Sequence, residues 1–151
     1  MKKLLPFLLL PTLAFSQASV AYYPFNNLGT FSVSTNPNRL VWGDARFQTN
    51  SILASLSTTL CPLVNVSRTE RTNWYVGPGF RFNWLNNLNG SSLFEGYSLH
   101  AGVRVAPVAS LPNLRVAFEL SPSISTKSTS ISSGVFYSYL GVAYQFRKKG
   151  E

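Results

Sequence analysis

The sequence predicts an all-β protein, an antiparallel up-and-down transmembrane β-barrel of eight strands. Three observations carry this. Charged residues make up only 12 % of the 151-residue chain, where soluble domains run near ~25 %. After the first eighteen residues, no apolar run approaches the ~20 residues of a membrane-spanning helix. Apolar residues recur instead at every second position, the period of a strand whose successive side chains face opposite ways. A barrel that spreads its lipid-facing surface over alternate residues accounts for all three.

The chain opens with MKKLLPFLLLPTLAFSQA. Lys2 and Lys3 precede an apolar run from Leu4 to Phe15, and small residues follow. This is the three-part pattern of a secretory signal peptide, assigned to residues 1–18. Cleavage fits after Ser16 or after Ala18. A buried N-terminal helix is the alternative, and Pro6 and Pro11 both oppose it. Residues 19–151 then form one domain in the bacterial outer membrane. The net charge of +8 falls to about +6 without the two leader lysines. Export argues against nucleic acid as a partner and favours outer-membrane lipid and lipopolysaccharide. The lone Cys61 permits no internal disulfide and reads as a small strand residue. One His and one distant Cys lack metal-ligand spacing, and no cofactor is expected.

The elements follow in order. VAYYPFN and LGTFSVS predict a weak hairpin across Asn26–Asn27, with Pro24 opposing the first strand. RLVWGDARFQT places Asp44, Arg46 and Gln48 opposite Ala45, Phe47 and Thr49. Leu40 and Trp42 break that alternation, which predicts a bulge or twist near Gly43. SILASLSTTLCPLVNVS carries Ile52, Leu56, Leu60, Val64 and Val66 on one face. NWYVGPGFRFNW sets Trp74, Val76, Pro78, Phe80, Phe82 and Trp84 against Tyr75, Gly77, Gly79, Arg81 and Asn83. GYSLHAGVRVAP and NLRVAFELSPSI alternate in the same way, with His100, Arg104, Arg115 and Glu119 opposite the apolar row. The last strand runs from Phe136 to Phe146. Six strands are strong and two are weak.

Trp74 and Trp84 lie ten residues apart on one face. A tilted strand covers roughly 25 Å in that distance, the height of an outer-membrane apolar band. Indole rings at both rims suit an aromatic girdle. Short connections at 35–38, 67–72 and 109–113 alternate with longer ones at 85–95 and 125–133. The short set, both termini and a basic tail (147–151) are therefore assigned to the periplasm. The tight link at Thr49–Ser51 is an exception on the outer side.

The direction of the apolar face decides the class. A soluble lipocalin-like barrel would bury it. Scarce charge and rim tryptophans favour lipid outside. Asp44, Arg46, Arg81, His100, Arg104, Arg115 and Glu119 then form a charge network in the lumen, because an arginine facing lipid costs ~2–4 kcal/mol. Such a network either plugs the barrel or lines a narrow anion-preferring pore. Eight strands leave room mainly for side chains, which favours the plug. His100, Glu119 and one of many serines could assemble a triad in space, yet the expectation is a structural histidine and no enzyme.

The chain ends in YLGVAYQFRKKGE. Tyr139, Gly141, Tyr144 and Phe146 resemble the C-terminal signal of outer-membrane β-barrels. That resemblance implies recognition by the barrel-assembly machinery and closure of the last strand on the first. Most members of the family stop at the Phe, whereas this chain continues. The overall plan is similar to small eight-stranded outer-membrane proteins, the OmpA transmembrane domain and OmpX among them. Similar barrels that modify lipid A use His with Ser, and the His-x-Ser arrangement of the deacylases is absent, because Ala101 and Gly102 follow His100. The expected function is a structural or surface-interaction role carried by loops 85–95 and 125–133. The principal alternative is a soluble exported barrel binding a small apolar ligand. A narrow pore and a lipid-modifying enzyme are lesser alternatives.

Overall fold

Alternation of small polar and large apolar residues favours strands over helices, and each strand must find partners for its backbone groups. The computed structural model describes residues 17–25, 29–49, 56–84, 92–126 and 134–146. They form β1 (Ser19–Tyr23), β2 (Gly29–Ser34), β3 (Val41–Thr49), β4 (Leu56–Arg68), β5 (Thr72–Asn83), β6 (Phe94–Val105), β7 (Leu114–Ser125) and β8 (Gly134–Gln145). Each strand pairs antiparallel with its sequence neighbour, and β1 pairs with β8, so the sheet closes into an up-and-down barrel.

The register fixes its geometry. Paired residues lead from Val20 through Val33, Ala45, Leu60, Phe80, Tyr97 and Ile124 to Gly134. Val20 itself faces Tyr144, ten residues along β8 from Gly134. Eight strands with this stagger tilt by about 40° and enclose a space that side chains can fill.

The weak hairpin expected at the N-terminus is present. Pro24 stands just past the end of β1, where its missing N–H removes no ladder bond. The expected bulge near Gly43 is not there. Gly43 faces Pro62 within an unbroken β3–β4 register, and Trp42 points inward in phase with Asp44 and Arg46. The break in the pattern is one of chemistry, an apolar ring in the inward row packed against Tyr75 and Arg104, and not a shift of register. The register shifts fall instead between Asn65 and Ser67 on β4 and at Arg81/Phe82 on β5.

Two glycines permit the close inner packing. A Cβ on Gly77 would strike the Pro62 carbonyl oxygen, and one on Gly79 would strike Ser98 Oγ and His100 Nε2. The leader through Ser16, the tail 147–151, Asn26–Asn27 and the link at Asn50–Ser51 lie outside the described residues. So do most of the two long connections, 85–91 and 127–133.

Candidate functional site

The inner face of the wall collects the polar side chains. β3 contributes Asp44, Arg46 and Gln48, β6 contributes Ser98, His100 and Arg104, and β7 contributes Arg115, Glu119 and Ser121, all of them buried. Strand periodicity explains the arrangement. Residues at i, i+2 and i+4 share one face, so each strand points its charged row at the barrel axis.

Arg46 stands at the centre. Its Nη1 and Nη2 grip both carboxylate oxygens of Glu119 across the lumen, with Nη2–Oε2 at 2.7 Å. Its Nε donates to Asp44 Oδ2 at 2.8 Å. Ser34 Oγ donates to the other Asp44 oxygen at 3.0 Å. Tyr75 donates its hydroxyl to Glu119 Oε2 at 2.8 Å. His100 Nδ1 lies 2.7 Å from Glu119 Oε1 and 3.2 Å from Arg46 Nη1, so two donors converge on one oxygen. The rings of Tyr23 and Tyr139 flank the Arg46 guanidinium at 5.8 and 5.5 Å. Tyr139 in turn accepts a hydrogen bond from Gln48 Nε2 at 2.9 Å.

Arg104 is buried just as deeply, at 1 % exposed. No described carboxylate pairs with it. Its guanidinium lies 4.6 Å from the centre of the Trp42 ring and 5.8 Å from that of Tyr75. Its Nη atoms reach Ser34 Oγ at 3.3–3.4 Å, and its Nε has no described partner. Trp42 is held edge-to-face against Tyr75 and donates Nε1–H to Asn65 Oδ1 at 3.1 Å. Asn65 anchors that group by donating to the carbonyls of Pro37 and Arg39.

The remaining expected lumen residues sit toward the two ends. Arg81 lies 5.4 Å from the Tyr137 ring, in the half of the barrel away from the β2–β3 turn. Arg115 reaches Asn38 Oδ1 at 3.4 Å beside the β2–β3 turn. There, Asn38, Arg68, Thr69, Glu70, Asn73 and Arg115 surround a cavity of about 530 Å³ at the mouth. The structure thus joins Asp44, Arg46, His100 and Glu119 directly and links Arg104 to them through Ser34. Arg81 and Arg115 stand outside these described ion pairs.

The outer face is the opposite in character. Trp74 near the start of β5 and Trp84 just past its end are both exposed, and Trp84 Nε1 donates to Thr58 Oγ1 at 2.9 Å. Tyr144 and Phe146 lie outward with ring centres 5.3 Å apart, whereas Tyr139 and Gly141 of the same C-terminal motif point into the lumen.

The serine that the sequence left open beside His100 and Glu119 is Ser98. Ser98 Oγ lies 2.8 Å from His100 Nε2, so Ser98, His100 and Glu119 stand in the order of a hydrolase triad. All three are buried, and Glu119 is already gripped by Arg46 and Tyr75. With Nδ1 donating to the carboxylate, Nε2 accepts from the serine, so the arrangement satisfies every polar atom of the imidazole. Among the described residues, no group of three His, Cys, Asp or Glu side chains is placed to hold a metal ion. Tyr23, Trp42 and Ser34 escaped the sequence reading. The available signal was phase, because Trp42 lies two and four residues from Asp44 and Arg46. No protein-family model, curated protein or solved structure matches the chain.

Proposed function

We propose that the protein is a small outer-membrane β-barrel with a structural or surface-interaction role, its lumen plugged by charged side chains. One observation carries this reading: the barrel is inverted relative to a soluble protein. Large apolar side chains such as Leu99, Phe118, Leu120, Leu140 and Val142 are exposed on the outward rows, while Arg46, Arg104, His100 and Glu119 are fully enclosed. Water would penalise that exterior, because soluble monomers rarely expose contiguous apolar patches beyond ~600 Å². Lipid would not. The closed sheet also leaves no open edge around its paired strands, which a bilayer requires.

The interior favours a plug over a pore. Thr30, Ser32, Glu119 and Ser121 have no exposed surface, and Arg46 and His100 have 1–2 %. The same charges oppose a carrier for an apolar ligand, whose binding would strip their polar partners. The buried serine and the occupied Glu119 favour a structural histidine over a catalytic one. In this reading, lipid and lipopolysaccharide surround the wall, and Tyr139, Gly141, Tyr144 and Phe146 serve the barrel-assembly machinery. The loops at 85–95 and 125–133 carry any surface contact.

The test is electrophoresis of detergent-extracted membranes with and without boiling. A compact band that shifts on heating is expected. Recovery of the protein only in the soluble periplasmic fraction would contradict the proposal.

A further inference from the structure

The lumen mouth beside the β2–β3 turn brings charges of both signs into one cavity. Arg68, Glu70 and Arg115 all line its volume of about 530 Å³, together with Asn38 and Asn73. That volume falls within the ~300–1,000 Å³ of small-molecule sites.

Asn38 sets the arrangement. Its own N–H donates to Asn36 Oδ1 at 3.0 Å, which braces the turn. Arg68 arrives from the end of β4 and donates Nη1–H to the Asn38 carbonyl at 2.9 Å. Arg115 arrives from the start of β7, and its Nη2 reaches the Asn38 side-chain oxygen at 3.4 Å. Asn73 on β5 donates to that same side-chain oxygen at 3.2 Å. Two guanidiniums from different strands thus converge on one residue. Like charges held this close repel, and a carboxylate between them would relieve the repulsion through charge-assisted bonds.

Glu70 adds the opposite sign. It follows Arg68 by two residues and makes no described ion pair with it. Its carboxylate would repel a dianion such as phosphate and attract a cationic group. The same end of the barrel also holds unmet amide groups. Gln145 closes β8, is 1 % exposed, and donates its backbone N–H to the Asn113 carbonyl on the β7 side at 2.9 Å. Neither Gln145 Oε1 nor Nε2 has a partner among the described residues, and Asn113 Oδ1 has none either. Buried polar atoms call for partners, which a ligand with a peptide group can supply.

We infer that the mouth binds a short peptide in its zwitterionic form, with its carboxylate between Arg68 and Arg115 and its ammonium at Glu70. Binding there does not depend on what surrounds the wall, so its failure would leave the membrane placement standing.

The folded full chain is titrated with alanyl-alanine by calorimetry, and saturable binding is expected. N-acetyl-alanyl-alanine lacks the ammonium and alanyl-alanine amide lacks the carboxylate. Each should bind roughly tenfold more weakly. Arg68 and Glu70 are exposed, so their variants should fold. Arg68→Gln should weaken alanyl-alanine binding, again by roughly tenfold. Glu70→Gln should bring alanyl-alanine down to the level of its N-acetyl form, and should not weaken the N-acetyl form itself. Absence of saturable binding to the folded chain would overturn the inference. So would inorganic phosphate binding as tightly as the dipeptide, or an unchanged dipeptide affinity in either variant.

Discussion

Arg46 and Arg104 are both 1 % exposed within one barrel, yet they are accommodated in different ways. Arg46 holds two carboxylates and is flanked by two tyrosine rings. Arg104 holds none and lies against Trp42 and Tyr75, with only a serine hydroxyl for its Nη atoms. The middle of the lumen is therefore tied together by charge pairs. The region nearer the β2–β3 turn is tied together by ring faces. A buried charge needs compensation, and a π-face supplies less of it than a bidentate carboxylate.

This comparison can be broken most forcefully at Glu119. Glu119→Ala leaves Arg46 with one carboxylate and removes the partner of His100 and Tyr75. Breaking a buried pair in this way costs ~3–5 kcal/mol. A urea titration of the folded barrel should show that loss as a lower midpoint. A shift below about 1 kcal/mol would mean that water or a rearranged Asp44 compensates Arg46.

A smaller effect is expected around Arg104. Arg104→Met removes a charge that no described carboxylate balances, so stability should change by no more than about 1 kcal/mol, in either direction. Trp42→Leu alone should cost more, since it strips the ring from a desolvated cation. A double-mutant cycle between the two should give a coupling of about 2 kcal/mol. A coupling near zero would mean that Trp42 acts only as filler.

Much of this lumen was legible in the sequence. Period-two spacing placed Asp44, Arg46, Arg104 and Glu119 on one face, because a strand gives each residue only two directions. It also separated Tyr75 from Trp74 correctly. Trp42 was harder, since its phase puts it with Asp44 and Arg46 while its apolar ring suits the outward row. The shifts at Asn65 and Arg81 were not legible, because the partner strand sets register. The contact of Ser98 with His100 lies on a single strand, yet its significance depends on Glu119 arriving from β7. The hairpin of β1 and β2 was weak in sequence because its strands are only five and six residues long. Their neighbours on the barrel hold them in place.

The proposed membrane placement requires that the outward rows meet lipid. Nitroxide labels at single cysteines introduced at Leu99, Phe118 and Leu140, which face outward on three different strands, would test that most directly. The native Cys61 is buried and shielded from the label. In vesicles, collisions with oxygen should dominate over those with a water-soluble nickel complex at all three positions. Frequent nickel collisions there would place the apolar rows in water and contradict the membrane barrel.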